Sequence, residues 1–253
     1  MLKFAILAAG EGSRLANEGI HEPKPLVRLC GETLLNRLIR VFRSCGAEEV
    51  VMVCNDLHNS TTDGHRVQAH VQAMQKAGVP VRLVVKTTPS SMHSFYALAP
   101  LLGQDKFVLT TVDTVFREEE FRAYVKAFEQ AGEEMDGLMA VTDFVDDERP
   151  LWVSTAEDLR ITGFYDSLEQ FRASRTSGEC RFVSGGIYGL THRSLDTLTR
   201  CIKSGQSRMR NFQRALVADG LQLKAYPFSK ILDVDHASDI QKAKGMLRMK
   251  SEK

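Results

Sequence analysis

The chain has 253 residues and almost balanced charge, with 33 lysines and arginines against 32 aspartates and glutamates and a formal net charge of +1. This balance argues against a nucleic-acid or anionic-membrane partner, and no apolar run reaches the length that spans a bilayer. The length suffices for one large α/β domain with a substantial core. The N-terminal apolar run is too short for a secretory signal, so we expect a soluble protein in the cytoplasm.

The cysteines support the same location. They are odd in number and contain no C-x-x-C pair, which favours reduced thiols over a disulfide framework. They are Cys30, Cys45, Cys54, Cys180 and Cys201.

Apolar patterning in the first half of the chain predicts strands that alternate with helices. Continuous apolar runs predict buried strands at residues 4–8, 49–54, 81–85 and 106–112. Apolar residues at helical spacing predict helices at residues 33–44, from about 65 to 77, and from about 92 onward. Buried strands alternating with helices indicate a mainly parallel sheet that is covered on both faces.

The second half continues with mixed elements. The predicted helices are residues 118–130, 194–202 and 209–218, followed by one after the final strand. The predicted strands are residues 137–142, 151–154, 160–165, 182–190 and a last one ending near residue 233. The charge-rich segment 143–149 is expected to form a solvated loop near the acceptor pocket.

Residues 7–26 carry the clearest functional pattern. A buried strand leads into a turn with Gly10 and Gly12, Arg14 follows, and Lys24 lies between two prolines. Glycines let a backbone approach a bound group closely, and consecutive amides in such a turn form a concavity for anions. Arg14 adds a planar fork of donors and Lys24 a compact mobile charge. We therefore predict a phosphate cradle for a nucleoside triphosphate, the alternative being a structural turn with two solvated basic residues.

The same stretch resembles the signature of the sugar-1-phosphate nucleotidyltransferases, the nucleotide-sugar pyrophosphorylases. In that family L-A-A-G-x-G-x-R-L is followed, after a variable loop, by P-K-P-L, and every fixed position is present here. The resemblance implies a single α/β domain over residues 1–253, a Rossmann-like three-layer sandwich around a mixed, mostly parallel sheet (the nucleotide-diphospho-sugar transferase fold). It further implies a nucleotide-binding half, 1–115, and an acceptor-binding half, 116–253.

The implied reaction joins a nucleoside triphosphate to a phosphorylated small molecule, most simply a sugar 1-phosphate, and gives an NDP-sugar and pyrophosphate with Mg²⁺ as cofactor. Arg14 and Lys24 are the catalytic candidates. The nucleotide-binding candidates are Leu7, Ala8, Ala9, Gly10, Glu11, Gly12, Ser13, Thr88 and Ser91. The last two lie in a hydroxyl-rich segment ahead of a helix, where helix capping is an equally good explanation.

Aspartates near two strand ends are the candidates for the metal site. Asp113 follows the strand at 106–112, where wound sheets gather their ligands, and hard cations prefer oxygen ligands. The resemblance assigns Mg²⁺ binding to Asp113 and Asp233, with Asp235 as the second choice. Asp113 could instead be a turn residue or a helix cap. Many family members have glycine just before this aspartate, whereas this chain has Val112.

The acceptor side departs from the family pattern. Tyr165-Asp166-Ser167 stands where the family has Glu-Lys-Pro, so the lysine that helps bind the sugar phosphate is missing. Asp166 and Gly186 are the acceptor-binding candidates. A glycine within a strand such as Gly186 permits close approach of a ligand, but a bulge or tight packing explains it as well.

Three other functions stay open. A cytidylyltransferase of the same fold acting on phosphocholine or another non-sugar phosphate is compatible with the missing lysine. A glycosyltransferase usually has Asp-x-Asp after the middle strand, whereas this chain has Asp113-Thr114-Val115. The third is a non-catalytic nucleotide-binding protein. Such a protein need not keep both the basic and the acidic candidates, so their presence in this chain argues against it. The sequence does not indicate the base or the oligomeric state.

Overall fold

A computed structural model of the protein describes residues 2–10, 12–55 and 62–248, with the backbone alone for 62–65. Its strands are β1 (Lys3–Ala8), β2 (Arg28–Leu29), β3 (Glu32–Thr33), β4 (Val50–Cys54), β5 (Val81–Val85), β6 (Phe107–Thr111), β7 (Thr114–Phe116), β8 (Gly137–Thr142), β9 (Trp152–Thr155), β10 (Ile161–Tyr165), β11 (Glu179–Leu190), β12 (Leu223–Phe228) and β13 (Ile231–Asp233). Its helices are α1 (Ser13–Asn17), α2 (Leu34–Ser44), α3 (Thr62–Lys76), α4 (Ser91–Leu102), α5 (Glu118–Gln130), α6 (Leu168–Ser174), α7 (Arg193–Lys203), α8 (Met209–Ala218) and α9 (Ala237–Arg248), with a 3-10 turn at Lys24–Leu26.

A nine-stranded sheet forms the centre of the molecule. Strands β5, β4, β1 and β6 lie side by side and parallel, and β11 then runs antiparallel to β6. β11 also pairs antiparallel with β8 and β9, while β12 lies parallel to β8. The predicted mixed sheet in a single α/β domain is confirmed. The parallel strands present their carboxyl ends, Ala8 of β1 and Thr111 of β6, at the same edge of the sheet.

Strand β1 shows why the sheet is covered on both faces. Successive side chains of a strand point to opposite faces, and every residue from Phe4 to Ala8 is buried. Phe4 and Ile6 belong to one hydrophobic cluster, Ala5 and Leu7 to another on the opposite face. Helix α2 covers the first face, with its first turn capped by Thr33, whose hydroxyl accepts from the Asn36 amide at 3.1 Å.

Two small pairings outside the large sheet position the site. Strands β7 and β13 pair antiparallel, with Asp233 opposite Thr114. Because β7 begins directly after Asp113, this pairing brings Asp233 beside the carboxyl end of β6. The β2–β3 hairpin follows Lys24 and leads into α2.

The predicted elements formed with shifted bounds, and some elements were not predicted. Helix α3 begins at Thr62 and strand β11 at Glu179, each three residues earlier than expected. Strand β12 contains Pro227, which argues against a strand on sequence grounds, yet it forms because alternate residues, Leu223 and Ala225, are buried in the core. Elements α1, α6, β2, β3, β7 and β12 were not predicted.

Candidate active site

The turn after β1 lines a cavity of about 490 Å³ at the carboxyl ends of the parallel strands. We call it the first cavity. Its lining residues are Leu7, Ala8, Ala9, Gly10, Lys24, Thr88, Pro89, Ser90, Ser91, Ser94, Thr111, Val112 and Asp113. Six predicted nucleotide-binding residues, Leu7 to Gly10, Thr88 and Ser91, thus meet around one space. Gly12 and Ser13 lie at the start of α1 outside this lining, and Glu11 lies outside the described residues.

A buried side chain that the sequence did not single out holds the turn. The Asn55 amide Nδ2 donates to the carbonyls of Ala9 at 3.3 Å and Gly10 at 3.2 Å, and Asn55 is only 5% exposed. Since the carbonyls bond to Asn55, they are turned away from ligand binding. Gly12 adopts a left-handed φ of 64°, which glycine tolerates without strain. In the sequence, the only feature that could have pointed to Asn55 is its position directly after strand β4.

The hydroxyl-rich segment forms the opposite wall. Ser90 is the N-cap residue of α4, but its side chain makes no capping bond and contacts His93 Nδ1 at 2.9 Å instead. The hydroxyls of Thr88 and Ser94 bond each other at 2.6 Å. Side-chain capping by Ser90 therefore does not explain this segment, and its hydroxyls remain beside the cavity.

Lys24 lies where the site is most crowded with charge. Its Nζ donates to Asp113 Oδ2 at 2.6 Å and to Asp235 Oδ1 at 2.6 Å, and its side chain is 12% exposed. Burial disfavours the charged ammonium, but the carboxylates of Asp113 and Asp235 outweigh that cost and raise the pKa of Lys24. Arg14 Nη1 donates to the other oxygen of Asp235 at 2.8 Å. Both predicted catalytic cations thus meet at Asp235.

Asp233 has a different environment from Asp235. Thr114 Oγ1 donates to Asp233 Oδ1 at 3.0 Å, and Thr111 and Thr114 share a hydroxyl bond of 2.6 Å. Asp233 is an exposed residue, yet protein atoms lie close around its carboxylate and desolvate it. This desolvation, together with the nearby charges of Asp113 and Asp235, raises the pKa of Asp233 well above its usual range.

Asp113 and Asp235, on either side of Lys24, offer the oxygen ligands that the predicted Mg²⁺ prefers. Asp113 Oδ1 is buried and, within the described part of the chain, has no hydrogen-bond partner. Three aspartates with mutually unfavourable charge would gain from a hard cation with oxygen ligands. Among the described residues, however, no three acidic, histidine or cysteine side chains converge closely enough to enclose a metal ion. Lys24 lies between two of the carboxylates instead.

A second cavity of about 420 Å³ lies on the other side of Asp235. It is lined by Arg14, Glu18, Thr142, Phe144, Asp146, Asp147, Glu148, Val183, Ser184, Gly185, Ile231, Leu232, Asp233, Asp235, His236, Ser238, Asp239 and Lys242. The charge-rich loop contributes Asp146 to Glu148 to this lining. At its rim His236 Nδ1 lies 2.5 Å from Glu18 Oε1, a pair that the sequence did not indicate. The hydrogen bond to Glu18 raises the pKa of His236.

The two acceptor candidates lie outside both linings. Gly186 has φ +70° at an irregularity of β11, and a Cβ there would meet Thr114 Oγ1 at 3.4 Å. Its neighbour Gly185 lines the second cavity. Asp166 forms salt bridges with Arg210 and with Arg214, the latter at 2.7 Å. Burial works against charge on Asp166, but these two arginines outweigh it and lower its pKa.

Known proteins resemble this chain in sequence and in fold. A "Bifunctional IPC transferase and DIPP synthase" of Rubrobacter xylanophilus is 27% identical over 96% of this chain, which spans 51% of that protein. The N-acetylmuramate alpha-1-phosphate uridylyltransferase of Caulobacter vibrioides is 25% identical, covering 85% of this chain and 84% of the relative. The inositol-1-phosphate CTP transferase of T. maritima superimposes with a TM-score of 0.76 at 17% identity, over 99% of this chain and 96% of that structure.

The structural likeness shows a shared fold, a Rossmann-like α/β arrangement with a mixed, mostly parallel central sheet flanked by helices. The chain belongs to the MobA-like NTP transferase domain family, whose model matches residues 4–216. Nucleotidyltransferases of this family generally use a divalent metal. The chain spans about half the length of the first relative named above.

Proposed function

We propose that the protein transfers a nucleotidyl group from a nucleoside triphosphate to a phosphate monoester, most simply a sugar 1-phosphate. An acceptor phosphate oxygen attacks the α-phosphorus, the bond from that phosphorus to the β-phosphate oxygen breaks, and pyrophosphate leaves. The observation that carries this proposal is the position of Lys24. Its ammonium contacts Asp113 of the first cavity and Asp235 of the second, the place where donor and acceptor phosphates would meet.

The charge of each residue suggests its role in the proposed reaction. The backbone amides of the turn and the Arg14 guanidinium would bind the β- and γ-phosphates. Lys24 would neutralise charge on the α-phosphate and the incoming phosphate, because fixed charge and positioning provide most of the rate enhancement in this chemistry. Asp113 and Asp233, with Asp235 as the alternative, would hold Mg²⁺, which supplies positive charge at the α-phosphate when bound.

The two cavities suggest how the chain is divided. Every lining residue of the first cavity lies between Leu7 and Asp113. The second cavity takes most of its lining from beyond Thr142, with Arg14 and Glu18 as the contributions from the N-terminal part. A nucleotide-binding half over 1–115 and an acceptor-binding half over 116–253 is therefore our assignment. All five cysteines are free, which fits the cytoplasmic location that we propose.

A cytidylyltransferase for a non-sugar phosphate is the second candidate. Acidic side chains outnumber basic ones in the lining of the second cavity, and Asp166 is engaged by two arginines where the family's sugar-phosphate lysine would be. A relative of Streptomyces rubellomurinus, 26% identical over 58% of this chain and a quarter of its own length, is a CMP-5'-(3-aminopropyl)phosphonate synthase. An acceptor that carries a positive charge would suit such a cavity.

The decisive experiment measures pyrophosphate release for each of the common nucleoside triphosphates with a panel of acceptors. The panel contains hexose 1-phosphates, inositol 1-phosphate, phosphocholine and an aminoalkylphosphonate. We expect release with one pair, and an α-labelled triphosphate should then pass its label to that acceptor. Transfer of a labelled sugar from an NDP-sugar to a hydroxyl acceptor, with release of NDP and no pyrophosphate release from any triphosphate, would favour a glycosyltransferase. Tight nucleotide binding without release for any pair would favour a non-catalytic nucleotide-binding protein.

A further inference from the structure

The Lys24 ammonium lies between two carboxylates that are candidates for binding the cation. Its Nζ is 2.6 Å from an oxygen of Asp113 and 2.6 Å from an oxygen of Asp235. Side-chain exposure is 12% for Lys24 and 16% for Asp113, so water screens this contact poorly. A lysine ammonium is a compact point charge. It therefore neutralises the two carboxylates from the space between them, where a divalent ion would also be attracted.

Charge around this contact is unevenly compensated. Asp113, Asp233 and Asp235 lie together, and the salt bridges to them among the described residues come from Lys24 and Arg14. Arg14 reaches only Asp235 and its side chain is 53% exposed. Lys24 is thus the main counter-ion of Asp113. If the ammonium left without replacement, the carboxylates would repel one another in a poorly solvated site.

The chain around Lys24 lets the side chain move while the backbone stays in place. Pro23 and Pro25 flank it, and proline fixes φ. Residues 24–26 form a short 3-10 turn in which Val27 N–H bonds the Lys24 carbonyl at 3.2 Å. The side chain also lines the first cavity. A rotation about its flexible stem would move the ammonium from the aspartates toward phosphates bound there.

We propose that Lys24 is a built-in counter-ion that competes with the divalent cation for Asp113 and Asp235 in the nucleotide-free protein. Metal binding is then weak until a triphosphate draws the ammonium into the first cavity and leaves the carboxylates free. Nucleotide and metal consequently bind in a coupled manner, since each removes the charge that opposes the other. The nucleotide-dependent step rests on the proposed function, because it requires phosphates in the first cavity.

The test measures Mn²⁺ binding to the nucleotide-free protein, from the electron paramagnetic resonance signal of free Mn²⁺. We expect Lys24→Met to bind Mn²⁺ roughly tenfold or more tightly than the parent protein, because a like charge has been removed from the ion's immediate surroundings. Lys24→Gln provides a second neutral side chain if the methionine variant does not fold. Lys86→Met, at an exposed lysine outside both cavities, is the matched control and should bind Mn²⁺ as the parent does.

A second substitution locates the ion. Asp113→Asn added to Lys24→Met should remove most of the gained Mn²⁺ affinity. The proposal is overturned if neutral residues at position 24 do not increase the affinity, or if the gain survives Asp113→Asn. The readout needs no turnover. If the parent protein releases pyrophosphate with no substrate pair while Lys24→Met shows the gain, only the proposed function is refuted. If the parent is active and Lys24→Met lacks the gain, only the role of Lys24 as counter-ion is refuted.

Discussion

The three aspartates of the site have the same kind of side chain, but their surroundings differ. Asp113 bonds Lys24 through one oxygen, and its other oxygen is buried without a described partner. Asp235 bridges Lys24 and Arg14. Asp233 receives a hydrogen bond from Thr114 and no described salt bridge, and desolvation, followed by the charges of Asp113 and Asp235, raises its pKa. At the scale of single residues, the partner of each carboxylate determines its role.

Replacement of Lys24 tests the centre of this arrangement. Lys24→Ala should lower kcat by about a thousandfold, because a preorganised charge that meets the α-phosphate is removed. The KM for the triphosphate should change far less. Pyrophosphate release, followed with a coupled assay, measures both constants. Lys86→Ala is the matched control. Near-normal turnover in a folded Lys24→Ala protein would remove Lys24 from the reaction.

At the scale of elements, the turn after β1 and the start of α9 depend on side chains from elsewhere in the chain. Asn55, directly after β4, bonds two carbonyls of the turn. At α9, Asp239 accepts from the backbone amides of Asp235 and His236, at 3.2 and 2.8 Å. Both contacts fix backbone that leads into the charged centre. The positions of the proposed catalytic groups therefore depend on residues that need not touch a substrate.

Loss of the Asn55 amide should loosen the turn after β1, which we propose binds phosphate. Asn55→Ala should raise the KM for the triphosphate by roughly tenfold, since the Ala9 and Gly10 carbonyls lose their donor and become free to turn toward the cavity. The KM for the acceptor should stay close to that of the parent. Steady-state kinetics with each substrate varied in turn provides the comparison. Gln130→Ala, at an exposed amide at the end of α5, controls for general effects. Equal effects on both KM values would contradict a local role.

Asp239 should make stability depend on acid pH. Burial opposes its charge, but hydrogen bonds from the His236 amide and Lys242 outweigh burial and lower its pKa below the usual value near 3.9. A carboxyl group with a lowered folded-state pKa stabilises the protein above its unfolded pKa, and that contribution is lost as the pH falls through the folded value. Asp239→Ala should thus cost about 1 kcal/mol at pH 6, and progressively less below pH 4.

Urea unfolding of both proteins at pH 6 and at pH 3 measures this difference. The comparison at one pH cancels the protonation of the other carboxyl groups, which is common to both proteins. A stability difference that is as large at pH 3 as at pH 6 would show that the Asp239 charge does not contribute.

At the scale of the molecule, one sheet lies between two hydrophobic clusters, one on each of its faces. Phe121 stacks between Phe42 and Phe116, with ring centroids 5.5 and 4.6 Å apart, on one face. Phe95 packs against Phe107 and Phe212 on the other face, at 5.8 and 5.5 Å. The same strands separate the two clusters, so both cavities sit on one continuous support.

The shared sheet predicts that both halves unfold together. Phe121→Ala and Phe95→Ala should each cost about 3–5 kcal/mol, because both rings are fully buried and leave a cavity. Each variant should still unfold in one transition. Circular dichroism follows the helices, and fluorescence of Trp152, the single tryptophan, follows β9 in the second half. Separate transitions by the two probes would show that the halves unfold independently.

Most of the fold could be predicted because the pattern of apolar residues within each of its main strands and helices identifies that element. The continuous apolar runs of β1, β4 and β6 and the helical spacing of α2 and α5 correspond to the observed bounds within a few residues. Strand β7 is three residues long and pairs with β13 over a large sequence separation, so no local pattern marks it. The same holds for Asn55, whose partners lie 46 and 45 residues away.

The sequence by itself determined which groups are available for the proposed donor side. The glycine turn, Arg14 and Lys24 fall within one short stretch, and the proposal of phosphate binding follows from their types and order. Only the tertiary structure decided which carboxylates meet Lys24. Asp113 lies 89 residues away and Asp235 lies 211 residues away, and strand pairing and core packing bring them together. The acidic second cavity is likewise assembled from distant segments, and for this reason its chemistry is a property of the fold.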